Sequence, residues 1–126
     1  MIRLLLDTHV FLWWCADSPR LGDDVRHAIA APRNQVLVSA VSAWEMAIKS
    51  ALGRLRAPGD VEGAMDANGF QKLEISFAHA ARAGELPPRH GDPFDRMLVA
   101  QAELEGLTLV THDRRLEPYG LEILWT

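Results

Sequence analysis

Four acidic residues sit where a carboxylate can do chemistry. Asp7 ends the apolar run IRLLL, and Glu45 lies early in SAWEMAIKSALG. Asp95 opens the apolar pattern of GDPFDRMLVAQA, and Asp113 follows TLVT. Gathered in one crevice, four carboxylates repel one another and call for a cation. With oxygen donors and no cysteine cluster, the set suits Mg²⁺ or Mn²⁺. Hard divalent ions held this way serve phosphoryl chemistry: they activate water and neutralise charge developing on a phosphate.

The elements that must position these acids follow from the sequence pattern. Residues 2–6 read as a buried strand and VFLWWCA as a short helix. Ser18-Pro19 reads as an N-cap with proline at the first helical position, opening a helix to about Ala31. QVLVS (35–39) is a second strand. SAWEMAIKSALG is an amphipathic helix that Gly53 closes. A helix over 60–68 ends at Gly69, FQKLEI is a third strand, and SFAHAARAGEL is helical up to Pro87-Pro88. A helix from Pro93 to Glu105 ends at Gly106, residues 108–111 form a fourth strand, and LEILWT supplies a fifth. Strands alternating with helices imply an α/β fold, a three-layer α/β/α sandwich around a mainly parallel, roughly five-stranded sheet. In such sheets the site lies beyond the carboxyl ends of the strands.

Each acid also has a purely structural reading. Asp7 can cap the helix that follows it. Ser42 and Glu45 match the S-x-x-E capping box, in which Glu45 would bond only backbone. Asp113 can form a turn with His112 and Arg114. Asp92 precedes Pro93 at the first helical position and so reads as an N-cap, which leaves Asp95 as the acid on the first turn.

Bulk properties narrow the function. The chain has 126 residues, one domain's worth, and 48% of them are hydrophobic. No apolar stretch of about eighteen residues exists, which excludes a helical membrane span. Asp7 and His9 interrupt the N-terminal apolar run, and no small-x-small cleavage site follows, which argues against a signal peptide. The single cysteine, Cys15, cannot form an internal disulfide, and a cytoplasmic location is expected. The net charge of −4 argues against a protein that coats nucleic acid through a positive field. It leaves room for an acidic enzyme acting on nucleic acid.

Other residue types are less telling. His9, His90 and His112 neighbour the acids without zinc-ligand spacing. Ser39 and Ser42 lack a nucleophile-elbow context. Trp13, Trp14 and Trp44 read as core or interface aromatics, and the adjacent pair cannot both point inward, which leaves one for a dimer or partner surface. Arg89, Arg96, Arg114 and Arg115 lie near the acids, as phosphate clamps or as solvated surface. Arg96 is expected to contact a phosphate or a carboxylate.

The blocks LLLDTHVFLWW, VSAVSAWEMAIK, GDPFDRMLVAQA and LTLVTHDRRL, in this order and spacing, resemble PIN-domain ribonucleases, above all the VapC-type toxins of bacterial toxin–antitoxin pairs. The resemblance covers essentially the whole chain. It implies Mg²⁺-dependent (or Mn²⁺-dependent) endoribonuclease activity, an RNA substrate, a small cognate antitoxin and a homodimer. It places the family's acids on Asp7, Glu45, Asp95 and Asp113, as metal-holding and catalytic residues, with Glu45 as ligand or water-orienting base. Thr111 matches a hydroxyl residue beside the metal; Thr8, Arg96 and Asp92 are further candidates for supporting or substrate-binding positions. Hydrolysis by in-line attack of water would leave 5′-phosphate and 3′-hydroxyl ends. Other classes compete. A haloacid-dehalogenase-like phosphohydrolase needs a second aspartate at position 9, which is histidine. A non-catalytic receiver-like acidic module needs a lysine after a late strand, where neither Lys49 nor Lys72 stands.

Overall fold

The computed structural model describes residues 1–88 and 91–126. The chain runs β1 (Arg3–Leu6), α1 (Thr8–Cys15), α2 (Asp23–Ala30), β2 (Gln35–Ser39), α3 (Ala40–Ala51), α4 (Val61–Ala67) and β3 (Gln71–Leu73). It continues with α5 (Phe77–Glu85), α6 (Pro93–Glu105), β4 (Thr108–Thr111), a 3-10 helix (Arg114–Tyr119) and β5 (Ile123–Trp125). The five strands form one sheet in the order β3-β2-β1-β4-β5, and all four pairings are parallel. The first strand in sequence is thus central, flanked by β2 and β4.

Side-chain alternation along the strands builds the two outer layers. Leu4 and Leu6 of β1, Val36 and Val38 of β2 and Val110 of β4 face a core made with Val10, Phe11, Val25, Ile29, Met46 and Met65. That core joins the sheet to α1, α2, α3 and α4. Leu5, Leu37 and Leu109 face the opposite side, against Leu98, Val99 and Ala102 of α6 and Leu116 of the 3-10 helix. The result is the expected α/β/α sandwich, with its central strands buried on both faces.

Two helices start elsewhere than the sequence pattern suggests. Ser18-Pro19 does not open α2. Ser18 instead closes a turn, its carbonyl accepting from Leu21 N–H at 3.1 Å and its hydroxyl from Arg20 N–H at 3.2 Å. The helix begins at Asp23 behind Gly22, which has no side chain to cap with. α3 begins at Ala40, with Ser39 as its N-cap accepting from Val41 N–H at 3.0 Å. That start removes the capping-box reading of Glu45: Ser42 is inside the helix, and its buried hydroxyl finds no partner among the described residues. The predicted ends hold better. Gly53, at φ 70°, lets α3 close with Gly53 N–H on Ser50 O and Arg54 N–H on Lys49 O.

Candidate functional site

Because the pairings of β1, β2 and β4 are all parallel, Leu6, Ser39 and Thr111 end at the same sheet edge. The helices that follow β1 and β2, together with the start of α6, hang their first turns over that edge. Between them lies a cleft of about 320 Å³ lined by acidic and basic side chains from every one of these elements. Asp7, Glu45, Asp92, Asp95 and Asp113 all line it, so the topology brings the acids singled out from sequence to one place.

Asp7 is buried, 6% exposed. Its Oδ1 accepts from Val10 N–H at 2.8 Å, so it does cap α1, and its Oδ2 accepts from the Thr111 hydroxyl at 2.5 Å. Capping and chemistry are compatible here, because each oxygen retains acceptor capacity. Burial pushes its carboxyl from 3.8 up to about 6, only partly offset by the Thr111 and Val10 hydrogen bonds and by His112. A carboxylate held against its own solvation in this way is one that a cation would relieve.

Thr111 is the buried hub between two acids. It donates to Asp7 and accepts from Asp113 N–H at 3.1 Å, tying the loop after β4 to the end of β1. Asp113 itself caps the 3-10 helix through Arg115 N–H at 3.1 Å and is gripped by the Arg115 guanidinium, with Nη2 at 2.8 Å from Oδ2. Thr8 plays the matching part on the other wall, donating to Glu45 Oε1 at 2.5 Å. Glu45 Oε2 takes Lys49, one turn further along α3.

At the α6 start, Asp92 is the N-cap, its Oδ1 accepting from Phe94 N–H at 2.8 Å and Asp95 N–H at 3.3 Å. Asp95 is the third residue of the helix and faces the cleft, where its charge acts on His9 and Arg115. His9, half-buried, has its imidazole pushed down, chiefly by burial. The His112 ring lies 4.8 Å from Trp13 and 5.9 Å from His9, centre to centre.

The expectation for Arg96 is corrected. Arg96 does not reach into the cleft. Its guanidinium bonds the carbonyls of Ala83, Leu86 and Pro87 at 2.8–3.1 Å, bracing the end of α5 against α6. Trp13 and Trp14 are both half-buried and engaged within the chain, Trp13 against His112 and Trp14 through an indole N–H to Asn68 at 3.0 Å. The exposed tryptophan is Trp44. Arg114 lies 4.1 Å above the Trp125 ring. Arg89 and His90 lie outside the described residues. Lys49 lines the cleft and was overlooked as a site residue, although its spacing of four from Glu45 was visible in the sequence.

The donor set is chemically right for a hard divalent ion: carboxylate oxygens from four elements and one buried acid needing a counter-charge. Among the described residues, however, no three acidic, imidazole or thiol groups already stand together in an ion-holding arrangement. Among the described residues, Glu45 instead holds Lys49 and Asp113 holds Arg115. Asp7, Asp95 and Asp113 line the cleft with carboxylate oxygens of the kind such an ion takes.

An all-parallel α/β/α sandwich with an acid-lined cleft at the carboxyl edge defines a class, and the comparisons specify it. The sequence profile of the PIN domain matches residues 4–120. The chain is 34% identical over 122 residues to "Ribonuclease VapC22" of Mycobacterium tuberculosis, covering 94% of this chain and 93% of that protein. It belongs to the PIN-domain family. Its fold is also that of VapBC2 from Rickettsia felis bound to a DNA fragment from its promoter (TM-score 0.71, 15% identity, 98% of each chain). A toxin–antitoxin complex from Klebsiella pneumoniae superposes at TM-score 0.68 with 19% identity, over 96% of this chain and 95% of that one.

Proposed function

We propose that this PIN domain is a divalent-metal-dependent endoribonuclease, the toxin of a toxin–antitoxin pair. The observation that carries this reading is the convergence of Asp7, Asp95 and Asp113 on one cleft, with Asp7 buried and its carboxyl raised to about 6. The ribonuclease name of the 34%-identical relative supports the reaction, and the toxin–antitoxin assemblies sharing the fold support the role.

Asp7, Asp95 and Asp113 would hold Mg²⁺ or Mn²⁺. When bound, such an ion lowers the pKa of water and neutralises phosphate charge. The chain's own residues supply the rest. Thr111 keeps the Asp7 carboxylate and the Asp113 backbone in register, and the Asp92 cap sets the α6 turn that carries Asp95. In-line attack of water on phosphorus breaks the bond to O3′, which leaves with a proton. The products are a 5′-phosphate and a 3′-hydroxyl.

Partners follow the same reading: an RNA substrate, a small antitoxin and a second copy of the chain. Support for self-association is an apolar face where Trp44, 58% exposed, packs against Phe94 at 5.3 Å between ring centres. A groove of about 300 Å³ lined by Val41, Trp44, Ile75, Ala83, Pro93 and Met97 continues that face. No described helix is long and apolar enough to cross a membrane. A cytoplasmic location is part of the proposal, resting on the lone cysteine.

The test is incubation of purified protein with RNA and with single-stranded DNA, each with Mg²⁺ or EDTA. RNA should be cut only with Mg²⁺. Asp95→Asn should slow cutting by about 10²–10³-fold or more while the circular dichroism spectrum stays unchanged. Cleavage that survives EDTA, or a fully active Asp95→Asn protein, would sink the proposal.

A further inference from the structure

The acids that line the cleft repel the phosphates on either side of the bond to be cut. A bound strand therefore needs cations and stacking surfaces just outside it. One rim supplies both. His9, His112 and Arg114 line the cleft, and each also meets an aromatic ring outside the lining. His112 is exposed, with its ring centre 4.8 Å from that of Trp13. Trp13 packs against the core between the sheet and α1, which steadies the indole behind His112. The Arg20 guanidinium stands 6.0 Å above the same indole.

The other end of the chain completes the rim. Trp125 of β5 pairs with Thr111, the residue before His112, and the Thr126 hydroxyl donates to the Arg20 carbonyl at 3.5 Å. Arg114 covers the Trp125 ring at 4.1 Å. Arg20 and Arg114 are both exposed, and among the described residues neither is in an ion pair. Each guanidinium is held over a ring rather than on a carboxylate, which leaves its N–H edge for a phosphate oxygen. In a chain of net charge −4, arginines interleaved with aromatic rings at the mouth of an acidic cleft form a local footprint for single-stranded nucleic acid.

We propose that this rim seats the nucleotide next to the scissile phosphate. Its base stacks on His112, backed by Trp13, and Arg20 and Arg114 hold the phosphates that flank it. The proposal rests on the nuclease reading above and deepens it by assigning the residues that seat the substrate.

Fluorescence anisotropy of a short fluorescein-labelled single-stranded RNA, in EDTA, reads the seat apart from the chemistry. An abasic strand of the same length and charge separates stacking from charge. The wild type should hold the RNA more tightly than the abasic strand. His112→Ala should weaken RNA binding about 10-fold and leave the abasic strand bound as before. His112→Phe, which keeps an aromatic face and loses both ring nitrogens, should restore RNA binding. Arg20→Gln and Arg114→Gln should weaken both strands, each lowering the salt slope by about 0.7. All three positions are exposed, so melting temperatures should stay level across the set. A wild type that binds no RNA, or holds it no more tightly than the abasic strand, would overturn the seat. So would wild-type affinity in His112→Ala, or a Phe variant that restores nothing. Unchanged RNA affinity in every variant would overturn it too, and would leave the rim to a protein partner. The nuclease reading fails separately, if RNA bound in the expected pattern stays uncut when Mg²⁺ replaces EDTA.

Discussion

The cleft has two acid–base walls, and they are built differently. On one, Glu45 is buried in a helix, its Lys49 partner anchored one turn away on the same rigid element. On the other, Asp113 caps a 3-10 helix, and its Arg115 partner, the second residue of that helix, is 69% exposed. A buried pair cannot lose one member without stranding a charge, whereas an exposed pair exchanges freely with water and salt. The Glu45–Lys49 wall is therefore permanent furniture, and the Asp113–Arg115 wall is a contact that a stronger cation can displace.

The largest test of this contrast acts through Asp7, which stands between the two walls. Its folded-state carboxyl, at about 6, lies above the ordinary 3.8, so between those values the folded chain holds a proton that the unfolded chain has released. The cost of burying its charge, about 2–3 kcal/mol, is thus present above pH 6 and relieved as pH falls toward 4. Asp7→Asn should raise the metal-free melting temperature at pH 7 and flatten its pH dependence between about pH 4 and 6, since asparagine can still accept from Val10 N–H. The same substitution should erase stabilisation by added Mn²⁺. A melting temperature at pH 7 that falls on substitution would mean that the buried charge is already compensated.

A smaller effect is expected at Asp92, which lines the cleft yet spends one oxygen on two backbone N–H groups. Asp92→Asn should preserve stability and most of the activity. Asp92→Ala should cost about 1 kcal/mol in denaturant unfolding, the usual loss for an N-cap. An Asn variant as inactive as Asp95→Asn would make Asp92 a ligand and redraw the acidic wall.

The contrast also explains which parts of the molecule were legible in the sequence. The sandwich, the strand ends and the α6 start were readable because their signals are local. Alternating apolar runs and a proline behind an aspartate determine geometry without help from distant residues. The α2 start was misread because Ser18-Pro19 is as good a turn as it is a cap, and only Leu21 packing into the core decides between them. Arg96 was misread because it adjoins Asp95 in sequence, whereas successive helical residues point about 100° apart. The place of Lys49 in the cleft is hidden in the sequence because it follows from the burial of Glu45, which depends on how α1 and α3 meet over the sheet. Pairing across elements is what a single sequence conceals.

The finest test falls on Arg115, where the contrast between the walls predicts a gain rather than a loss. Its guanidinium competes for the Asp113 oxygens that an ion would use. Arg115→Ala should leave the melting temperature of the metal-free protein essentially unchanged, because an exposed pair contributes little. It should tighten Mn²⁺ binding modestly, most visibly at low ionic strength, where the competing ion pair is strongest. Lys49→Ala, by contrast, should lower the metal-free melting temperature, because it leaves Glu45 buried without its counter-charge. Opposite signs for the two alanine variants, measured on the same metal-free and metal-loaded samples, would separate the displaceable cation from the built-in one. Equal losses in both would mean that the two walls are equivalent.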